Sequence, residues 1–249
     1  MIKGTVALPV YNSAGIAWLC MESLCRQEKP VDGWELIVFE ELHLFMLGEK
    51  FFKGYERRLY EVGCERITVI TDPDRFPLSQ KWILIAQKAD INSEYFCLCA
   101  ADNYYAPDML IEAEKVIKEG DFSVVTKGYF YDFFLDKVVL YQYFQIPLVG
   151  LQMTASTKRV REFAMEVKVR GVDTWFSSHF GNGSNIVNTD SWKHILCTNG
   201  LNNISTGRWQ LIATESSPFS YTDTKLEEIV PECIAYRIKD LSKSLNGFI

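Results

Sequence analysis

Tyr95-Phe96-Cys97-Leu98-Cys99-Ala100-Ala101-Asp102-Asn103-Tyr104-Tyr105-Ala106-Pro107 is the stretch whose reading decides the fold. A short apolar run, Tyr95 to Cys99, stops at an acid and an amide; two aromatic residues and then a proline follow. The run has the length and composition of a buried strand. Pro107 suits the first turn of a helix, and Asp108 and Glu112 suit the positive end of that helix. Asp102 is therefore expected just beyond the carboxyl end of a central strand, where ligands bind in open α/β sheets. A carboxylate there is a partner for a hard divalent cation carrying phosphate oxygens. It is equally a loop acid that caps the next helix. The rest of the chain decides between the two.

Toward the amino terminus the pattern repeats. Thr5 to Val10 reads as a strand ending near Pro9, and Tyr11-Asn12-Ser13-Ala14-Gly15 as a turn with helix-capping residues in Asn12 and Ser13. Ile16, Leu19, Cys20, Ser23 and Leu24 then recur at helical spacing. Trp34 to Phe39 is a second strand closing on Glu40 and Glu41. Phe52, Tyr55, Leu59 and Val62 mark one helix, capped by Gly63. Arg66 to Thr71 is a third strand closing on Asp72, and Ser79 to Ala89 a third helix. The alternation implies right-handed crossovers and a mostly parallel, Rossmann-like α/β sheet with helices on both faces. Parallel strands gather their carboxyl ends on one rim, so Pro9, Tyr11, Glu40, Glu41, Asp72, Asp102 and Asn103 are expected to meet there.

Toward the carboxyl terminus the style changes. Ala106 to Glu119 reads as a helix and Phe122 to Lys127 as a strand. Gly128 to Phe134 with Val138 to Phe144 reads as a hairpin that adds antiparallel strands to the sheet. Ser156 to Val167 reads as a helix, and two Gly- and Asn-rich stretches from Gly181 and Asn199 read as loops. Leu226, Ile229, Val230, Cys233, Ile234, Ile238, Leu241 and Leu245 mark one face of a C-terminal helix, with Pro231 as a kink. That helix docks on the core or on a second subunit, so a homo-oligomer stays open.

Composition narrows the classes. Of 249 residues 48% are hydrophobic, which makes a globular chain with a sizeable core. A formal net charge of −6 argues against broad affinity for nucleic acid or anionic lipid. No apolar run approaches the roughly 20 residues that span a bilayer. Met1-Ile2-Lys3-Gly4 shows no signal-peptide pattern. A cytoplasmic protein without stable membrane insertion is expected. Cys97 and Cys99 share a strand face without a second pair, and the seven cysteines read as reduced core residues. No G-x-G-x-x-G or G-x-x-x-x-G-K-[ST] is present, which sets aside nicotinamide, flavin and P-loop enzymes.

Val6-Ala7-Leu8-Pro9-Val10-Tyr11-Asn12, the acid after the second strand and Ala100 to Leu110 together resemble the nucleotide-sugar-binding half of family 2 glycosyltransferases, which have the GT-A fold. The resemblance covers roughly the first 120 residues well and the remainder weakly. It implies a donor-binding half over 1–120 and an acceptor half with the C-terminal helix over 121–249, in one continuous domain. By match, Pro9, Tyr11 and Glu40 hold the nucleoside, usually uridine, and Lys81 reaches the nucleotide. The competing reading of Lys81 is a solvated helix lysine. The family's Asp-x-Asp appears here as Ala100-Ala101-Asp102-Asn103, so Asp102 matches the second acid and the first is missing. Asp102 then holds Mn2+ or Mg2+ with the diphosphate, and His194 completes the metal site. Asp173, in Gly171 to Phe176, matches the family's general base, with Val172 in place of the preceding acid. A helix N-cap is its competing role.

The implied reaction is transfer of a sugar from a nucleoside diphosphate donor, UDP-sugar by preference, to an acceptor hydroxyl with inversion. The acceptor is open among a glycan, a lipid-linked sugar, a protein and a nucleic acid. The bases Lys158, Arg159, Arg161, Lys168 and Arg170 read either as a phosphate-meeting patch or as a solvated helix face. The aromatic run from Tyr129 to Phe144 reads as a sugar platform or as ordinary sheet packing. Two other classes stay open. One is a nucleotide-sugar-binding protein without turnover, favoured by the thinned motif. The other is a nucleotidyltransferase, disfavoured by a first turn that is neither Gly-rich nor basic.

Overall fold

The structure is a computed structural model that describes residues 1–42, 44, 46–119, 122–125, 127–133, 135–142, 152–162, 186–188, 196–199 and 219–246. The first half alternates as the apolar runs predict: β1 (Ile2–Val10), α1 (Ala17–Leu24), β2 (Gly33–Glu41), α2 (Gly48–Lys53), α3 (Glu56–Glu61), β3 (Cys64–Asp72), α4 (Leu78–Lys88) and β4 (Tyr95–Leu98). A two-residue β5 (Asn103–Tyr104) precedes α5 (Met109–Glu119). Then come β6 (Phe122–Val125), β7 (Lys127–Asp132), β8 (Lys137–Gln142), β9 (Gln152–Ser156) and α6 (Thr157–Glu162). β10 (Ile186–Asn188), β11 (Leu196–Asn199), β12 (Phe219–Tyr221), a 3-10 turn (Leu226–Glu228) and α7 (Glu232–Asn246) close the described chain.

The central sheet runs β10-β6-β9-β4-β1-β2-β3. Strands β3, β2, β1 and β4 are mutually parallel, and β9 is antiparallel to both β4 and β6. Alternation sorts their side chains onto two faces. Val6, Leu8, Leu36, Val38 and Cys97 pack with Cys20 and Met21 of α1, Leu59 of α3 and Leu110 of α5. Ala7, Ile37, Phe39, Phe96 and Leu98 pack with Trp82, Ile85 and Ala86 of α4 and Val160 of α6. Each fully buried aliphatic side chain contributes about 1.5–3 kcal/mol. Cys97 and Cys99 fall on one face, buried and free, as expected of core cysteines, but Cys233 at the start of α7 is exposed and is not a core residue.

A second sheet runs β12-β8-β7-β11-β5. The predicted hairpin forms as β7 and β8, but it belongs to this second sheet and does not extend the first. Tyr131, Phe133, Val138 and Leu196 bury a layer against Ile16, Trp18 and Leu19 of the α1 region and Ile234, Ala235 and Ile238 of α7. Helix α1 is thus covered on two sides, which is why nearly every one of its residues is buried. The aromatic run is packing where it is described: Phe130 against Tyr141 and Phe219, and Tyr131 against Phe133.

Several elements differ from the sequence reading; α5 starts at Met109, which leaves Ala106 and Pro107 ahead of it. The helix read across Phe52 to Val62 is two short helices parted at Gly54, whose lack of a side chain disfavours the helical state. Gly63 closes the second with φ +90, a left-handed conformation suited to glycine. Pro231 does not kink the last helix but starts it, its carbonyl accepting Ile234 N and Ala235 N at 2.8 and 2.9 Å. β9 has no counterpart in the sequence reading. Its Gln152 and Thr154 are polar yet buried, so its pattern resembles a surface segment.

Candidate functional site

The parallel register brings the rim residues together. Val10 pairs with Glu40 and Glu41 with Asp72, while β4 ends earlier, Leu98 pairing with Ala7. Pro9 therefore lies two residues beyond the last β1 residue paired to β4, where its missing N–H costs no ladder bond to that strand. After Val10 the chain turns sharply. Asn12 takes φ +49, which asparagine tolerates, and Ser13 Oγ donates to the Tyr11 carbonyl at 2.9 Å.

Tyr11 presents its ring to two cations. Arg75 Cζ lies 5.0 Å and Lys81 Nζ 5.5 Å from its centroid. Lys81 is not a solvated helix lysine: its side chain is 6% exposed and its Nζ sits 2.9 Å from Glu41 Oε1, itself 3% exposed. Glu41 Oε1 also accepts Phe76 N at 2.7 Å. Burial holds the Lys81 ammonium below the ordinary lysine range, against the opposing pull of Glu41. Glu41 and Arg75 carry no motif of their own; Arg75 stands out only by following the third strand's acid, in Asp72-Pro73-Asp74-Arg75.

The two acids flanking this cluster are held differently. Glu40 is buried, and its two oxygens accept Leu47 N at 2.6 Å and Gly48 N at 2.8 Å. It anchors the loop leading into α2. Asp72 is half-buried, accepts Asp74 N at 2.9 Å through Oδ1, and its carbonyl accepts Leu42 N at 2.9 Å.

Asp102 stands third in a turn, with Asn103 N donating to the Ala100 carbonyl at 3.4 Å. The turn is closed by Tyr105, whose hydroxyl accepts Ala100 N at 2.6 Å and Asn103 Nδ2 at 3.4 Å. Burial pushes the Asp102 carboxyl up to about 6. It also lies near enough to the Cys20 thiol of α1 to raise it beyond what burial alone does. Asn103 and Tyr105 are buried beside it. Among the described residues no three His, Cys, Asp or Glu side chains stand together as a metal cage. Asp173 and His194, with His43 and His179, lie outside the described residues.

The basic stretch after β9 resolves in part. Arg161 donates to the carbonyls of Ala86, Ala89 and Asp90 at 2.9, 2.8 and 2.7 Å, closing the carboxyl end of α4. Lys158 lies 4.0 Å from Glu162 on an exposed face. Lys168 and Arg170 lie outside the described residues. Among the described residues no helix is long and apolar enough to cross a membrane.

No protein-family model matches the sequence. No curated protein matches it. Solved structures do. Residues 1–349 of S. aureus TarS in complex with UDP-GlcNAc share 15% identity at a TM-score of 0.63, over 84% of this chain and 62% of that one. The same protein in complex with UDP gives 15% and 0.61, over 80% and 61%. The mannosyltransferase PcManGT from Pyrobaculum calidifontis, in complex with GDP-Man and Mn2+, gives 14% and 0.53, over 79% and 56%. The chain thus spans about three fifths of each of these three chains. At these identities the likeness is one of fold, and the fold is GT-A-like.

Proposed function

We propose that this chain is a metal-dependent glycosyltransferase of the family 2 type, moving a sugar from a nucleoside diphosphate donor, UDP-sugar by preference, to an acceptor hydroxyl with inversion. The observation that carries the proposal is Lys81 set against the ring of Tyr11, just past β1 of a GT-A-like sheet, with Asp72 ending β3 and the Asp102 turn following β4. Likeness to chains that hold UDP, UDP-GlcNAc and GDP-Man supports a nucleotide-sugar donor. Residues 1–120 serve the donor and 121–249 the acceptor.

Pro9 shapes the turn and Tyr11 offers its ring to the nucleobase. Asp72, half-buried at the rim, takes the ribose side. Glu40 acts at one remove by fixing the loop at Leu47 and Gly48. Lys81 supports Tyr11 from beneath while paired to Glu41. Asp102 fits a divalent ion: an acid whose ionisation burial opposes gains most from a cation, and Mn2+ or Mg2+ accepts one carboxylate plus diphosphate oxygens. Asn103 lines the same turn, and His194 would be the second protein ligand. A bound divalent ion supplies Lewis-acid neutralisation of the departing diphosphate. Asp173 takes the proton of the acceptor hydroxyl as its oxygen bonds to the anomeric carbon and the bond to diphosphate breaks.

A second reading, a nucleotide-sugar-binding protein without turnover, is favoured by Ala100 in place of an acid and by the internal partners of Glu40 and Lys81. Titration calorimetry with a panel of nucleoside diphosphates, with and without Mn2+, tests the donor site. Metal-dependent binding of one nucleotide, lost in Asp102→Ala, is expected. Binding of none sinks the proposal. Release of nucleoside diphosphate from the matching donor separates transfer from binding alone.

A further inference from the structure

The Asp102 turn is closed onto a point that is itself bolted down. Gln27, just past α1, donates through Nε2 to the Ala106 carbonyl at 2.8 Å and accepts Leu110 N through Oε1 at 3.2 Å. Glu28 N donates to the Pro107 carbonyl at 2.7 Å. The segment after Tyr105 is therefore tied to α1, the helix that leaves the nucleoside turn. The Tyr105 ring is almost fully buried in the core cluster with Cys20, Met21 and Leu110, so its hydroxyl has one place to be. From there it accepts the Ala100 amide at 2.6 Å and the Asn103 side-chain amide at 3.4 Å, the first and last residues of the turn. It also lies 3.5 Å from the Ala100 carbonyl.

We propose that Tyr105 is a positioning residue that holds the Ala100–Asn103 turn in one shape and so presents the Asp102 carboxylate in a single orientation to a divalent ion and its diphosphate. The proposal rests on the donor-site reading above. A turn carrying one anchoring acid has no second carboxylate to correct its aim, so orientation must come from the groups around it. The hydroxyl meets both ends of the turn.

Tyr105→Phe keeps the buried ring and removes only the hydroxyl, leaving the Ala100 N–H without its short acceptor. Calorimetric titration of UDP is run with and without Mn2+ on wild type, Asp102→Ala and Tyr105→Phe, after circular dichroism has compared their folds. The expected result is a loss of roughly fivefold to a hundredfold in Mn2+-dependent affinity for Tyr105→Phe, the size of one short hydrogen bond to a part-buried amide. Its metal-free affinity stays within about twofold of wild type, which a general loosening of the fold would not leave intact. Wild type that binds with Mn2+ while Tyr105→Phe binds equally well overturns the role of Tyr105 and spares the donor site. Wild type that shows no Mn2+-dependent binding overturns both. Should Tyr105→Phe not fold, 3-fluorotyrosine at this position keeps the ring and weakens the hydroxyl as an acceptor. It is expected to shift the Mn2+-dependent affinity in the same direction, and an unchanged affinity overturns the proposal.

Discussion

The Lys81–Glu41 pair carries the most exacting prediction. Its atoms lie 2.9 Å apart with side chains 6% and 3% exposed, and Phe76 N adds a second donor to the same oxygen at 2.7 Å. Lys81→Met keeps the length of the chain and removes the charge, so a buried carboxylate is left with one backbone donor. Breaking one side of a buried pair costs about 3–5 kcal/mol, because the surviving charge has lost both water and partner. For a chain of this size that is about 6–20 °C in melting temperature, at about 2–4 °C per kcal/mol. Glu41→Gln keeps an acceptor for Phe76 N and strands Lys81 instead. Burial already draws the Lys81 pKa down, so the ammonium can shed its proton, and a cost of about 1–3 kcal/mol is expected. The double variant Glu41→Gln/Lys81→Met leaves no buried charge in the pair. It should be more stable than Lys81→Met alone by at least about 1 kcal/mol, giving a coupling energy near 2 kcal/mol or more. Urea denaturation followed by far-UV circular dichroism reads all four proteins. A coupling energy within error of zero would refute the reasoning. The pair would then contribute nothing net to stability, and Lys81 would be held at the Tyr11 ring by packing alone.

Two further perturbations probe the frame around the site. Glu22 of α1 accepts from both terminal guanidinium nitrogens of Arg58 in α3, at 2.7 and 2.9 Å, and from Arg26. Those hydrogen bonds, Arg58 first, hold its carboxyl down to about 2 from the usual 4.5. A depressed acid stabilises the fold above its unfolded pKa, so this contribution is complete above about pH 5 and is lost as pH falls toward about 2. The shift corresponds to at most about 3 kcal/mol, and the partly exposed guanidinium of Arg58 reduces it to about 1–2 kcal/mol. Glu22→Gln should flatten that part of the stability–pH curve, and an unchanged slope between pH 5 and 3 would discard the assignment. Ile238 of α7 is fully buried against the second sheet and α1. Ile238→Ala should cost about 2–5 kcal/mol in denaturation experiments, and a loss below about 1 kcal/mol would mean that α7 does not dock there.

Much of the first half was legible because its signals are local. Thr5 to Val10, Trp34 to Phe39 and Tyr95 to Cys99 are short apolar runs closed by polar residues, and the helices between them carry their stripes within a single turn-to-turn period. The alternation then implied right-handed crossovers and parallel strands, while the strand order came from the structure. The second half was less legible for a physical reason. β9 is antiparallel and sits between β4 and β6, and its Gln152 and Thr154 are buried beside Cys99 and Cys97, so polarity along the segment does not report exposure. The hairpin was visible in its composition, but nothing local distinguishes a hairpin that extends one sheet from one that starts another. Arg161 looked like a surface base and is the cap of a helix more than seventy residues earlier in the chain.

At the rim the same division holds. The sequence by itself determined which residues arrive there: Pro9, Tyr11, Glu40, Asp72, Asp102 and Asn103 each end or follow a parallel strand, and strand direction is set by apolar periodicity and crossover hand. Only the tertiary structure decided what each does on arrival. Glu40 meets two backbone amides from the next loop, Lys81 meets Glu41, and the Tyr105 hydroxyl closes the turn that carries Asp102. Burial selects these partners, because a polar group removed from water must find its hydrogen bonds among whatever atoms the packed elements bring within about 3 Å. That neighbourhood is a property of the assembled sheet and helices, and no window of the sequence contains it.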